Sequence, residues 1–335
     1  MTGRASPEPA PGSIRRGLRR RIADDLTALL VIGGMKLMLH APERPLWTLA
    51  GIAGRISYHA SGGRRERARH NLRRVVRWMA ANGTGDERYR RAAADPAALE
   101  KLVKDAFHHH AYYNVELARS ARYDAAWIAD RLLVETPENV DRLMTRHAMI
   151  LVGMHFGAIE MPGILAVQRC GALVTPMEFV SNPRVQRYIY STRAKVGTRI
   201  VSLKDAPVEL KAALHRDEPV GLVADRDITG GGIEVELFGA TTKIPAGPVL
   251  LAAESDAPVC VGAVRRTAPG RYRGKLLPLP VPEVASRRER TRAMLRAEAR
   301  IFEQLISDAP EQWLALFHPI WPDLENSSMN SGEAA

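Results

Sequence analysis

Residues 148–154 read AMILVGM and residues 155–160 read HFGAIE. Seven apolar or small residues without alternation have the length and composition of a strand buried on both faces, as in a parallel sheet. His155 follows at once. Gly157 permits a tight turn, and an apolar stretch over 161–170 reads as a helix, with Pro162 in its first turn and Gly171 at its end. This places a histidine just past the carboxyl end of a buried strand and ahead of a helix, where open α/β sheets bind their ligands.

Working outward, the same alternation continues. Strands are expected over 172–180, 198–203, 220–225 and 258–265, with a half-exposed alternating strand over 233–238. Helices are expected over 182–196, ended by Gly197, and over 206–215, 246–255 and 286–307. Strands separated by helices of this length define the α/β class: a central, mostly parallel sheet flanked by helices. Toward the amino terminus, 99–119 reads as a helix and 83–97 as a polar linker with a helical piece.

The first hundred residues have another character. Residues 1–12 are rich in Pro, Gly and Ala, and Arg15, Arg16, Arg19, Arg20 and Arg21 form a basic cluster. Residues 26–40, LTALLVIGGMKLMLH, are apolar but short of the roughly 20 residues that a membrane span requires. They read as a helix lying in the membrane interface, beside arginines that would attract anionic lipid; a buried core helix is the other reading. A second basic stretch, 64–78, holds seven arginines and one acid, with Leu72, Val75 and Val76 at helical spacing. It reads as an amphipathic helix on a membrane face.

The 335 residues carry a net charge of +11, with 46% hydrophobic and 25% charged residues, as in a globular chain that favours an anionic partner. No nucleic-acid-binding signature accompanies the charge, so nucleic acid is not expected as a partner. The two cysteines, Cys170 and Cys260, are far apart in sequence and show no metal-ligand spacing, which points to a reducing compartment. His108, His109 and His110 are adjacent on a helix and point about 100° apart, so they cannot converge on a metal, and none is expected.

His155 and Glu160 are five residues apart, about 140° on a continuous helix, so they can cooperate only if the histidine sits in the turn. A carboxylate bonded to one imidazole nitrogen fixes the tautomer and leaves the other nitrogen as a base. No Gly-x-Ser-x-Gly elbow is present, so a serine nucleophile of that design is not expected.

The His-x4-Glu pattern after a buried strand resembles the signature of glycerolipid acyltransferases. Residues 224–229 (ADRDIT), 232–239 (GIEVELFG), 245–248 (PAGP) and 70–74 (HNLRR) extend the likeness over roughly 25–322. Together they are similar to the lysophospholipid and lipid A lauroyl-type acyltransferase superfamily, nearest its actinobacterial phosphatidylinositol mannoside branch. The resemblance implies His155 as general base, Glu160 as the acid of the motif and Glu234 as a carboxylate completing a charge relay. It implies Glu178, Arg193, Asp225, Arg226 and Asp227 as substrate-binding residues. The chain departs from that branch in having Glu at 160, where Asp is usual, and Phe-Gly-Ala-Ile inside the motif.

Composition and resemblance together give a domain plan: a disordered basic tail (1–24), a helical membrane-associating region (25–98), an α/β acyltransferase domain (99–322) and a disordered tail (323–335). The activity implied is transfer of a fatty acyl group from acyl-CoA or acyl carrier protein to a hydroxyl of a phospholipid or glycolipid, at the cytoplasmic face of the cell membrane and without a cofactor. Alternatives are a lipid esterase using the same dyad on water and a non-catalytic basic membrane binder. The carboxylates at 160, 178, 225, 227 and 234 disfavour the binder.

Overall fold

The computed structural model describes residues 11–144, 148–177, 180, 182–228, 230–283 and 286–324, with backbone alone for residues 11–24. The amino-terminal half is helical: α1 (Pro11–His40), α2 (Glu43–Ala60), α3 (Gly62–Ala81), α4 (Glu87–Ala94) and α5 (Pro96–Arg119). The α/β part follows with α6 (Ala125–Arg131), β1 (Leu132–Val134), α7 (Pro137–Leu143), β2 (Ile150–Gly153), α8 (Glu160–Cys170), β3 (Leu173–Met177), α9 (Pro183–Lys195), β4 (Thr198–Ser202) and α10 (Ala206–His215). It ends with β5 (Val220–Val223), β6 (Ile233–Leu237), β7 (Ala240–Ile244), α11 (Gly247–Ser255), β8 (Val259–Ala268), β9 (Arg271–Pro278) and α12 (Arg287–Ser307).

The main sheet has seven strands in the order β1-β9-β8-β2-β5-β3-β4. All its pairings are parallel except β8 with β9. The fold class is therefore α/β around a mostly parallel sheet. The sequence reading did not contain β1, β7 or β9. The antiparallel β9 turns back from β8 through a tight turn, and β6 and β7 form a separate two-stranded hairpin whose turn holds Phe238 and Gly239 at positive φ.

The strand that opened the reading is the middle of this sheet. β2 lies between β8 and β5, and Ile150, Leu151 and Val152 are buried on both faces. The connection leaving β2 runs toward β3 on one side and the connection leaving its neighbour β8 runs toward β9 on the other, so the carboxyl end of β2 opens at a topological switch point.

The amino-terminal region departs from expectation in two ways. Helix α1 begins at Pro11, so the tail read as disordered over 1–24 is helical in its second half. The side chains of Arg15, Arg16, Arg19, Arg20 and Arg21, and residues 1–10 and 325–335, lie outside the described residues. Asp323, placed in the carboxyl-terminal tail, is ion-paired with Arg74.

The second departure is α3. Its apolar stripe, Leu72, Val75, Val76 and Met79, is fully buried against α4 and α5 and belongs to the main core. This is not a membrane face. Amphipathic spacing identifies a helix with one dry side, but it does not say whether lipid or protein dries it. The apolar residues left uncovered are elsewhere: Leu26, Leu29, Leu30 and Leu37 on α1, and Leu49, Ile52 and Ile56 on α2. Among the described residues no helix is long and apolar enough to cross a membrane.

Candidate active site

His155 is set in a turn that the rest of the fold pins down. Phe156 N–H donates to the Met154 carbonyl at 2.7 Å, Gly157 N–H to the Gln312 carbonyl at 3.0 Å and Ala158 N–H to the Val264 carbonyl at 2.9 Å. The carbonyl of His155 accepts from Leu314 N–H at 2.6 Å. Gly157 is needed at this point: its φ is +54°, and a Cβ there would lie 2.1 Å from the Val264 carbonyl oxygen. The turn is thereby held between β8 and the 3-10 turns over 310–317, so the imidazole leaves the sheet edge in a fixed direction.

That direction is set by Asp225, just past the end of β5. His155 Nδ1 and Asp225 Oδ1 are 2.7 Å apart, and the backbone N–H of His155 donates to Oδ2 at 3.1 Å. The indole N–H of Trp313, itself fully buried, donates to the same Oδ2 at 2.7 Å. Burial alone would raise the Asp225 pKa, but the charge of His155 and these hydrogen bonds outweigh it and hold the carboxyl below its ordinary value. An ionised Asp225 accepts the Nδ1 proton and makes Nε2 the basic nitrogen of the ring.

Among the described residues the carboxylate shown on His155 is that of Asp225, where the sequence reading looked to Glu160 or Glu234. Glu160 opens α8 and forms an ion pair with Arg193 of α9, whose other guanidinium nitrogen lies 3.2 Å from Met177 Sδ. Tyr113 of α5 faces this pair, its hydroxyl pushed up to about 12 by burial and then by Glu160. Glu234 is exposed on β6, opposite Lys243 in the hairpin register. It lines a separate cleft with Arg292 and Arg296 of α12, and that cleft shares no residue with the His155 cavity. Asp227 accepts from the backbone N–H groups of Gly230 and Gly232 at 2.9 and 2.8 Å, shaping the loop that leads to β6. Arg226, between Asp225 and Asp227 in sequence, is half-buried. Glu178 lies outside the described residues.

His155, Glu160 and Arg193 share one cavity of about 290 Å³. Apart from them it is walled mainly by apolar groups, among them Leu151, Ile164, Leu173, Val196, Leu222 and Ile228. Gly163 and Gly221 lie against Leu173 in its wall, so close that a Cβ at either would lie 3.0 or 3.3 Å from the Leu173 side chain. The arrangement is an imidazole on the wall of a largely apolar cavity, with an ion pair beside it. The backbone N–H groups of Phe156, Gly157 and Ala158 are already bonded to carbonyls, which leaves a cationic side chain rather than this turn as an oxyanion donor. Trp313 and Gln312 were not legible as site residues; their distance in sequence from His155 hides a contact that only the sheet edge creates.

The family model described as bacterial lipid A biosynthesis acyltransferase matches residues 16–322. The chain is 27% identical over 241 residues to a phosphatidylinositol mannoside acyltransferase of Mycolicibacterium smegmatis, covering 70% of this chain and 74% of the relative. It is 33% identical over 112 residues to one of Mycobacterium tuberculosis, covering 32% of this chain and 35% of the relative. With a match that spans nearly its whole length, the chain belongs to the bacterial lipid A biosynthesis acyltransferase family.

Proposed function

We propose that the protein transfers a fatty acyl group from a thioester donor, acyl-CoA or acyl carrier protein, to a hydroxyl of a phospholipid or glycolipid such as a phosphatidylinositol mannoside or a lysophospholipid. The observation that carries this reading is His155, held by Asp225, on the wall of a largely apolar cavity. A cavity of that character suits an acyl chain, with the reacting carbonyl left at the histidine.

In this mechanism His155 Nε2 takes the proton of the acceptor hydroxyl as its oxygen attacks the thioester carbonyl. The C–S bond of the tetrahedral intermediate then breaks, and the imidazolium returns the proton to the leaving thiolate. Asp225 stabilises the imidazolium throughout. The developing oxyanion needs a donor, and Arg193 is the cationic side chain on the cavity wall. Glu160 holds Arg193 rather than the imidazole.

The uncovered apolar stripes of α1 and α2 suit docking on a lipid surface, and we place the enzyme at the cytoplasmic face of the membrane, where acyl thioesters are at hand. The test is acyl transfer from palmitoyl-CoA to vesicle-borne phosphatidylinositol mannoside by the wild type and His155→Ala. Loss of about 10²–10⁴ in rate in a folded variant is expected. Near-normal transfer would overturn the base assignment. Release of free palmitate in place of acylated lipid would favour a lipid esterase.

A further inference from the structure

Strand β8 outruns its neighbour in the sheet. It pairs with β2 only over residues 259–261, while β9 covers its other edge as far as Ala268. Beyond Val261 the backbone groups on the β2 side need partners of another kind, because a buried peptide group left unpaired is costly. The two segments that build the active site supply them. The Val264 carbonyl accepts from Ala158 N–H at 2.9 Å, in the turn that carries His155. Two residues on, the Arg266 N–H donates to Gln312 Oε1 at 2.8 Å, and the Arg266 carbonyl accepts from Gln312 Nε2 at 2.7 Å. A carboxamide carries the donor and the acceptor of a peptide group. The buried Gln312 side chain thus continues the sheet where β2 has stopped.

The main chain of the same residue holds the histidine turn. The Gln312 carbonyl accepts from Gly157 N–H at 3.0 Å. Its two successors bond to the catalytic pair: the Trp313 indole donates to Asp225 Oδ2 at 2.7 Å, and Leu314 N–H to the His155 carbonyl at 2.6 Å. Gln312 therefore grips the strand with its side chain and the turn with its backbone.

The strand end that it grips is anchored from α5. Arg266 is buried and pairs with Glu116 through two guanidinium nitrogens, Nε at 2.7 Å. Its remaining nitrogen donates to His109 Nδ1 at 2.6 Å. A polar network matched in this way presents the Arg266 backbone to Gln312 in one register. Glu311, the residue before, belongs to a different contact: it accepts from the Tyr89 hydroxyl of α4 at 3.2 Å. That bond fastens the same segment to the helical layer without involving β8 or the histidine turn.

We propose that Gln312 is a positioning residue for His155. It sets the offset of the histidine turn from the edge of β8, which keeps Nδ1 on Asp225 and leaves Nε2 for the acceptor hydroxyl. The proposal rests on the reading of His155 as the base and adds to it the group that aims the base. Without the amide the segment is released from β8, and a displacement of about 1 Å at a reacting centre costs up to about a hundredfold in rate.

The test uses three variants of the full chain. Gln312→Met keeps the length of the side chain and removes both of its hydrogen bonds. Gln312→Glu keeps the donor only while its carboxyl is protonated, a form favoured by burial beside the Arg266 carbonyl. Tyr89→Phe, which removes the other bond of the segment, is the control. Acyl transfer from palmitoyl-CoA is measured with the vesicle-borne acceptor, and the His155 Nδ1 resonance is followed by NMR in the free protein. For Gln312→Met, kcat should fall about tenfold or more with the donor KM within about twofold of wild type. Its Nδ1 resonance should move, because the hydrogen bond to Asp225 changes. Tyr89→Phe should lower thermal stability and leave kcat and the resonance near wild type. For Gln312→Glu, the rate relative to wild type should rise as pH falls, and the resonance should return toward its wild-type position. An Nδ1 resonance in Gln312→Met identical with wild type overturns the proposal whatever the rate, and so does a kcat no lower than that of Tyr89→Phe. If Gln312→Met does not fold, Gln312→Glu decides, and a rate ratio or resonance offset that ignores pH refutes the role. The resonance is read without substrate, so it judges Gln312 even where acyl transfer is not found. Failure of the positioning role in turn leaves the base assignment to His155→Ala turnover.

Discussion

Asp225 Oδ1 lies 2.7 Å from His155 Nδ1, and the same carboxylate also receives the His155 backbone N–H and the Trp313 indole. One buried acid therefore sets the tautomer of the imidazole, its direction and the position of the turn that carries it. Asp225→Asn keeps the shape but permits the opposite tautomer and removes the charge that stabilises imidazolium. Turnover is expected to fall by about 10²–10⁴ with KM little changed. A rate within a few fold of wild type would show that Asp225 only braces the turn.

The same carboxyl gives a sign for acid stability. Its folded pKa is depressed, so its contribution to stability is present above the ordinary carboxyl value of 3.8 and is lost as pH falls through the folded value. Asp225→Asn should flatten that part of the acid limb. Denaturant unfolding midpoints between pH 5 and pH 2.5, compared for the two proteins, would read the difference.

Glu160 and Glu234 separate two roles that the spacing of the sequence merged. Glu160 is tied to Arg193, both about four-fifths buried, so Glu160→Gln leaves a cation without its partner. Stability should fall by about 1–3 kcal/mol, and Arg193→Gln on top should cost less than the sum of the two. Glu234→Gln, on the exposed hairpin, should alter neither stability nor turnover appreciably. A Glu234 variant as impaired as Asp225→Asn would restore the relay that the resemblance implied.

The alternation of buried strands with helices was readable because both periods are local, and the expected strands at 148–154 and 198–203 contain β2 and β4. So was the placement of His155, since a histidine after a doubly buried strand falls at a sheet edge whatever the strand order. The identity of its partner was not readable. Asp225 ends one strand-like run and Glu234 lies inside another, and only the pairing of β2 with β5 brings the first to the histidine. Trp313 carried no signal, since its role depends on a contact across 88 residues of chain with Asp225. The apolar face of α3 was read as lipid-facing because its covering partners, α4 and α5, lie beyond the window in which periodicity works.

Glu298 of α12 is fully buried, and neither carboxyl oxygen has a hydrogen-bond partner among the described residues. Burial raises its pKa to about 8. The native state therefore holds a proton that the unfolded chain releases near 4.5. Sign and window follow: the stability it supports is complete below 4.5 and is lost as pH rises toward 8, at about 1.4 kcal/mol per pH unit within that range. Glu298→Gln should remove this slope, and Glu298→Leu should be more stable than wild type at pH 8. Parallel pH dependence of the wild type and both variants would show that Glu298 is charged and paired in solution.

The uncovered stripes on α1 and α2 lead to the membrane prediction. Leu49, Ile52 and Ile56 recur at helical spacing and are 60%, 47% and 63% exposed, while Leu46, Trp47 and Ala50 on the other side of α2 are buried against α5. Leu26, Leu29, Leu30 and Leu37 continue the apolar surface on α1, whose far side is held by Arg119 and Arg122 through the carbonyls of Met38, Leu39 and Ala41. These helices are thus fixed to the body, and insertion of their outer faces would hold the body on the bilayer. Replacing Leu49, Ile52 and Ile56 by Ser should weaken binding to anionic vesicles by about 3 kcal/mol or more, roughly a hundredfold in partitioning. The core should be unaffected, because none of the three side chains is buried. Transfer to vesicle-borne acceptor should fall accordingly, while transfer to a short-chain acceptor in free solution should not. Charge adds a second, separable contribution: raising salt from 0.1 to 1 M shortens the Debye length from about 10 to about 3 Å and should weaken binding of both proteins alike. Co-sedimentation that the triple substitution leaves unchanged, but salt abolishes, would make the basic surface the whole of the attachment and the α2 stripe irrelevant to it.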